Sequence, residues 1–116
     1  MQKRIYLASP YSSPEQQVRE ARFNAACEAA ARIMAQGDLV FSPIAHSHVL
    51  AEKYQLPMDF DYWQAWCLSF LRHWATHFVI LEIPGWETSV GVRAERILAA
   101  DLGLPLIPAC ALVRQA

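Results

Sequence analysis

The sequence predicts a single α/β domain of the doubly wound kind, with a parallel sheet covered by helices on both faces. Three observations point there. Short apolar runs alternate with segments that carry helical caps and helical periodicity. Hydroxyls, histidines and aromatic residues collect just after those runs rather than inside them, as expected where ligands sit beyond the carboxyl ends of strands. The chain has 116 residues, enough for one domain and too few for two.

Taken in order, Ile5-Tyr6-Leu7-Ala8 is a short apolar run ending in Ser-Pro, which predicts a buried strand. Ser13 then offers a helix cap, Pro14 fits the first helical position and Gln16 completes a capping box. That helix is expected to reach Gln36, where Gly37 supplies a left-handed stop. Leu39-Val40-Phe41-Ser42 predicts a second strand closed by Pro43, and residues 47–58 a short helix and loop. A helix dense in aromatics is expected from Asp59 to Trp74 and a third strand over Phe78-Val79-Ile80-Leu81, broken by Pro84-Gly85. Ser89 caps a further helix that runs to Leu102 with Gly103 as its stop, and Leu104-Pro105-Leu106-Ile107 predicts a fourth strand.

Composition narrows the function. Hydrophobic residues make up 54% and charged residues 18%, richer in apolar groups than an average domain, which predicts a well-filled core or a buried subunit interface. Net charge is −1 with no basic stripe, so neither a nucleic-acid polymer nor an anionic membrane is a favoured partner. The three cysteines, Cys27, Cys67 and Cys110, form no C-x-x-C pair, which fits a reducing, cytoplasmic setting. No stretch approaches the roughly 18 apolar residues of a membrane span, and the first apolar run is too short for a signal peptide.

One carboxylate stands out. On a helical wheel with Val92 at zero, Ala99 lies at about 340°, Glu95 at about 300° and Leu98 at about 240°. Glu95 thus sits within the apolar stripe, a costly place unless the carboxyl is paired, hydrogen-bonded or at the wall of a cavity. It is read as a catalytic or sugar-binding group, against the plainer reading of a carboxylate capping neighbouring amides. In the first helix Val18, Ala25, Ala29 and Ile33 form the expected inward stripe, and Arg22 falls on it near the amino end. Arg22 either binds an anion, pairs with a carboxylate such as Glu95, or packs its stem with its head in water.

The order I-Y-L-A-S-P-Y-S, an Arg-bearing helix, V-F-S-P-I-x-H-S-H and L-E-I-P-G-W-E-T-S-V-G-V-R-A-E resembles the nucleoside 2-deoxyribosyltransferase-like family, over about residues 4–107. More closely, it looks like the small bacterial and phage branch of that family. The resemblance implies a flavodoxin-like, Rossmann-like three-layer sandwich with a four- to five-stranded parallel sheet. It also implies chemistry at the N-glycosidic bond of a nucleoside or nucleotide. The family's nucleophilic glutamate matches Glu95, its ligand-contacting Ser and Gly match Ser89 and Gly91, and its loop over sugar or phosphate matches Ser9, Pro10 and Tyr11. Relatives usually carry acidic residues where this chain reads Ala65-Trp66-Cys67 and Trp74-Ala75-Thr76; Asp59 and Asp61 are the candidates to replace them.

His46-Ser47-His48 and His73 with His77 raise a metal site, but the latter pair straddles a helix end and a strand start, so no metal and no other cofactor is expected. His46 is read instead as a ligand contact at the mouth, and Trp86 as a base-stacking or lid residue. The aromatic run over 60–74 reads as core or interface more than as a base platform, and Cys67 as packing. The expectation is therefore a homo-oligomeric enzyme of 2-deoxyribosyl transfer or hydrolysis acting on a small nucleoside or nucleotide through Glu95. The alternative is a non-catalytic nucleotide-binding module on the same fold.

Overall fold

The computed structural model describes residues 2–109, so Cys110 lies outside the described residues. Three parallel strands form the sheet: β1 (Arg4–Ala8), β2 (Leu39–Phe41) and β3 (His77–Ile80), in the order β2-β1-β3. Tyr6 pairs with Phe41 on one side and with Phe78 on the other, so the central strand carries its aromatic residue at the middle of the sheet. The run 104–107 joins the sheet only through an isolated parallel bridge between Phe78 and Leu106, not as the full strand the sequence predicts. Pro105 cannot donate to a ladder, which limits how far that pairing extends.

Four helices stand beside the sheet among the described residues: α1 (Gln16–Ala35), α2 (Pro43–Tyr54), α3 (Phe60–His73) and α4 (Val90–Asp101). None is long and apolar enough to cross a membrane among the described residues. α1 lays Ala29, Ala30 and Ile33 against Ile5, Leu7 and Val79 on one sheet face. α3 and α4 cover the other face, where Cys67, Leu71, Val92 and Ala99 meet Tyr6, Ala8, Phe78 and Ile80. The strand alternation that sends Ile5 and Leu7 one way and Tyr6 and Ala8 the other is the period of two in the sequence.

Two of the three Ser-Pro pairs, Ser13-Pro14 and Ser42-Pro43, behave differently from expectation. The Ser13 hydroxyl accepts from the Glu15 amide, at 3.2 Å, and α1 starts at Gln16 with no side-chain cap. Ser42 is the true cap: its hydroxyl accepts from the Ala45 amide at 3.1 Å, and Pro43 opens α2 at once. The segment after β2 is therefore helix from Pro43 to Tyr54, where a short helix and loop were expected only over 47–58. The buried residues of α1 are Ala26, Ala29, Ala30 and Ile33, with Val18 and Ala25 only half-buried, so its inward stripe is rotated by a fraction of a turn from the predicted one. Ser89 caps α4 as expected, accepting from the Val92 amide at 3.2 Å.

Candidate active site

Beyond the carboxyl ends of the strands lies a cavity of about 440 Å³, within the size range of small-molecule sites. Glu95 forms part of its wall. The side chain comes from the inward face of α4, beside Val92 and Ala99, and the residue is 4% exposed. Its Oε2 accepts a hydrogen bond of 2.5 Å from the Tyr6 hydroxyl, which rises from the middle of β1. Burial pushes the Glu95 carboxyl up to about 8, and the Tyr6 hydrogen bond opposes that rise. The phenol of Tyr6 is itself held well above its ordinary value, by burial first and by Glu95 next. Cys67 completes this corner, its thiol pushed up to about 12 by burial and then by Glu95, so it is a neutral neighbour and not a nucleophile.

The other predicted contacts divide. Ser9, Tyr11, Arg22, Ser89 and Gly91 all line the cavity with Glu95. Ser9 is 7% exposed and its hydroxyl has no hydrogen-bond partner among the described residues, a costly state for a buried polar group and one that a ligand would relieve. Val90 and Gly91 stand in the first turn of α4, where backbone amides lack intrahelical acceptors, and both border the cavity. Gly91 gives Phe60 room: a Cβ there would stand 3.1 Å from the Phe60 ring.

Arg22 does not pair with Glu95. Its Nη1 donates to the Ser12 carbonyl at 2.9 Å and its Nη2 to the Pro84 carbonyl at 3.4 Å, clasping two loops at the mouth. Both partners are neutral. Gly85, at φ 96°, leaves the space that this guanidinium fills.

Pro10, His46 and Trp86 lie elsewhere. Pro10 is fully buried and does not border the cavity. His46 is exposed on α2 and stacks on Trp66, 5.3 Å between ring centroids. Trp86 sits in the short 3-10 turn Trp86–Thr88 and packs on the core cluster around Tyr6 and Phe78. The aromatic walls come instead from α3, through Phe60 and Trp63. Asp59 and Asp61, at the amino end of α3, also line the cavity, whereas Thr76 spends its hydroxyl on the backbone of Arg4, accepting from its amide at 2.8 Å.

One buried group was not singled out from the sequence. His48 is 5% exposed, borders the cavity and joins Tyr11 to Glu20. The signal was present: His46 and His48 are two residues apart, about 200° around a helix, so only one of them can face inward. No group of three or more His, Cys, Asp or Glu placed to hold a metal occurs among the described residues.

Fold and site define a class: an α/β domain with a carboxyl-bearing cavity at the ends of its parallel strands. The chain belongs to the family described as a domain of unknown function, DUF1937, which matches residues 3–108. No curated protein matches it.

Proposed function

We propose that the protein makes or breaks the N-glycosidic bond of a nucleoside or nucleotide, by 2-deoxyribosyl transfer or hydrolysis, on a flavodoxin-like sandwich whose fourth strand is the 104–107 run bridged to Phe78. The reading rests on the resemblance to nucleoside 2-deoxyribosyltransferase-like proteins, and a single observation carries it: Glu95 is buried at the wall of a cavity with Tyr6 as its hydrogen-bond partner. A carboxylate so placed attacks C1′ of the sugar. The C1′–N bond breaks, the base departs with a proton taken from solvent water, and a glycosyl ester on Glu95 remains. Water or a second base then adds at C1′ and releases the carboxylate. Ser9, Ser89 and the amides of Val90 and Gly91 are suited to sugar hydroxyls or a phosphate, and Arg22, whose partners are neutral carbonyls, to the charge of a phosphate. Phe60 and Trp63 offer faces for the base.

Only the ionised carboxyl is a nucleophile, and Glu95 titrates at about 8. Base release therefore rises with pH up to that value and levels above it. The test is incubation of the protein with deoxyadenosine or its monophosphate, with and without a free acceptor base, following adenine released or exchanged. Glu95→Gln is expected to lower turnover by roughly a thousandfold or more. Equal turnover by the variant removes the nucleophile.

The alternative, a nucleotide-binding module without catalysis, is favoured by one observation: with its carboxyl at about 8, Glu95 is mostly neutral at pH 7. It predicts saturable binding by calorimetry and no base release. We also propose that the protein self-associates in the cytoplasm through the exposed aromatics Tyr62 and Trp66.

A further inference from the structure

Tyr11, His48 and Glu20 form a hydrogen-bonded chain that leads from the cavity to the surface. The Tyr11 hydroxyl lies 2.5 Å from Nδ1 of His48, and Nε2 of His48 lies 3.3 Å from the Glu20 carboxylate. His48 is buried and its ring stacks on Phe23, 4.3 Å between centroids, so it is held in plane. Glu20, half-buried, reaches solvent. The three residues come from separate elements: the loop after β1, the inner face of α2 and the first turns of α1.

The order of the chain fixes the protons. An ionised carboxylate only accepts, so Nε2 of His48 carries the hydrogen that meets Glu20. In the neutral ring Nδ1 is then the acceptor, and the Tyr11 O–H points at it. A phenol whose hydrogen is committed in this way turns a lone pair, not a proton, toward whatever occupies the cavity. The unit takes protons from the cavity side and does not give them.

We propose that Tyr11 is the general base of the second half-reaction, receiving the proton of the incoming acceptor while passing its own to His48, with His48 and Glu20 as positioning residues. This rests on the glycosyl-ester reading above. The step balances: an X–H acceptor, water or the N–H of a free base, forms a bond from X to C1′ as the ester C1′–O bond breaks. Its hydrogen moves to the Tyr11 oxygen, the Tyr11 hydrogen moves to Nδ1, and Glu20 faces the resulting imidazolium. Tyr11 does not ionise along the way. Its phenol is pushed up to about 12, by burial first and by Glu52 next, so it hands a proton on only as it receives one. Arg19, which also reaches the phenol and is bound to Glu52 at 3.5 Å and to the Ser13 carbonyl at 2.7 Å, pulls the other way.

The experiment separates the two halves of the reaction. Wild type, Tyr11→Phe and Glu20→Ala are mixed with excess deoxyadenosine in buffer alone, where water is the acceptor, and with free hypoxanthine. Adenine is followed from the first turnover, and the intact protein mass is read for a deoxyribosyl adduct. In Tyr11→Phe the first equivalent of adenine is expected to appear as a burst, with later turnovers slowed by roughly a hundredfold or more and the adduct accumulating. Glu20→Ala, changed at a half-exposed site, is expected to show the same split more weakly. Slowing in the buffer arm alone assigns the relay to water; slowing in both arms assigns it to either acceptor, and both results support the proposal. Burst and steady state slowed alike in Tyr11→Phe, or no adduct in either arm, overturn it while wild-type turnover leaves the glycosidic reading standing. Wild type that releases no adenine at all removes both.

Discussion

The two faces of the same three strands have been put to different uses. Toward α1 the sheet shows Ile5, Leu7 and Val79, met by Ala29, Ala30 and Ile33, with no polar side chain in the cluster. Toward α3 and α4 it shows Tyr6 among Phe78 and Ile80, and there the Tyr6 hydroxyl, the Cys67 thiol and the Glu95 carboxyl are buried together. A single residue step along β1 separates the two environments. The first face is filled for stability alone. The second keeps polar groups that cost folding energy, and the cavity opens on that side. Stability and chemistry are thus separable by mutation in this domain, to the degree that each face can be altered without the other.

The largest effect is expected on the apolar face. Ile33 is fully buried against Ile5 and Leu7, so Ile33→Ala removes packed methylenes and leaves a void. Denaturant titration should show a loss of about 2–5 kcal/mol. The activity of the molecules that remain folded should be unchanged, because Ile33 does not border the cavity. A change in substrate affinity would show that the two faces are mechanically coupled.

The polar face should reveal itself through pH. In the folded chain the Glu95 carboxyl stays protonated up to about 8, while its ordinary value is 4.5. Between those values the unfolded chain holds fewer protons than the folded one, so unfolding releases a proton. The contribution of Glu95 to stability is fully present below 4.5, falls as pH rises, and is gone above about 8. The slope for one proton is about 1.4 kcal/mol per pH unit at most. Glu95→Gln removes this titration, so the stability difference between variant and wild type should grow in favour of the variant from pH 5 to pH 8. A difference that is flat with pH would mean that Glu95 ionises normally, and the buried carboxyl would lose its meaning.

What the sequence made legible divides along the same line. Glu95 was placed by helical period alone, because a charge on an otherwise apolar stripe is visible whatever the stripe packs on. The strands were visible as apolar runs, and the cap at Ser89 by residue type. Ser13-Pro14 was read as a helix cap and Ser42-Pro43 as the close of a strand, whereas the path of the chain makes Ser42 the cap and leaves α1 without one. Placing the helix only from residue 47 hid the first turn of α2, and with it the fact that His48 faces inward and His46 outward. Trp86 looked like a site residue because it lies in the turn beside Glu95, yet it packs half-buried against the core, and Trp63 from α3 lines the cavity. Long-range placement of this kind depends on where an irregular turn redirects the chain, which periodicity does not encode.

The smallest and sharpest comparison uses two glycines. Gly37 and Gly85 share a φ of 96°, a conformation that costs a residue with a Cβ about 1 kcal/mol. Around Gly37, at the end of α1, nothing lies within 4 Å of an added Cβ, whereas at Gly85 the same atom would collide with the Arg22 guanidinium. Gly37→Ala and Gly85→Ala should therefore lose about the same stability from the backbone, since Arg22 is the far end of a flexible side chain and can swing away. Their difference should appear in ligand binding. Displacing Arg22 from the Pro84 and Ser12 carbonyls moves the cation at the mouth, so Gly85→Ala should weaken binding of deoxyadenosine monophosphate by about tenfold or less and leave deoxyadenosine itself unaffected. Gly37→Ala should change neither. Calorimetric titration of the two ligands into the two variants makes that comparison, and equal losses for nucleoside and nucleotide at Gly85→Ala would take the phosphate away from Arg22.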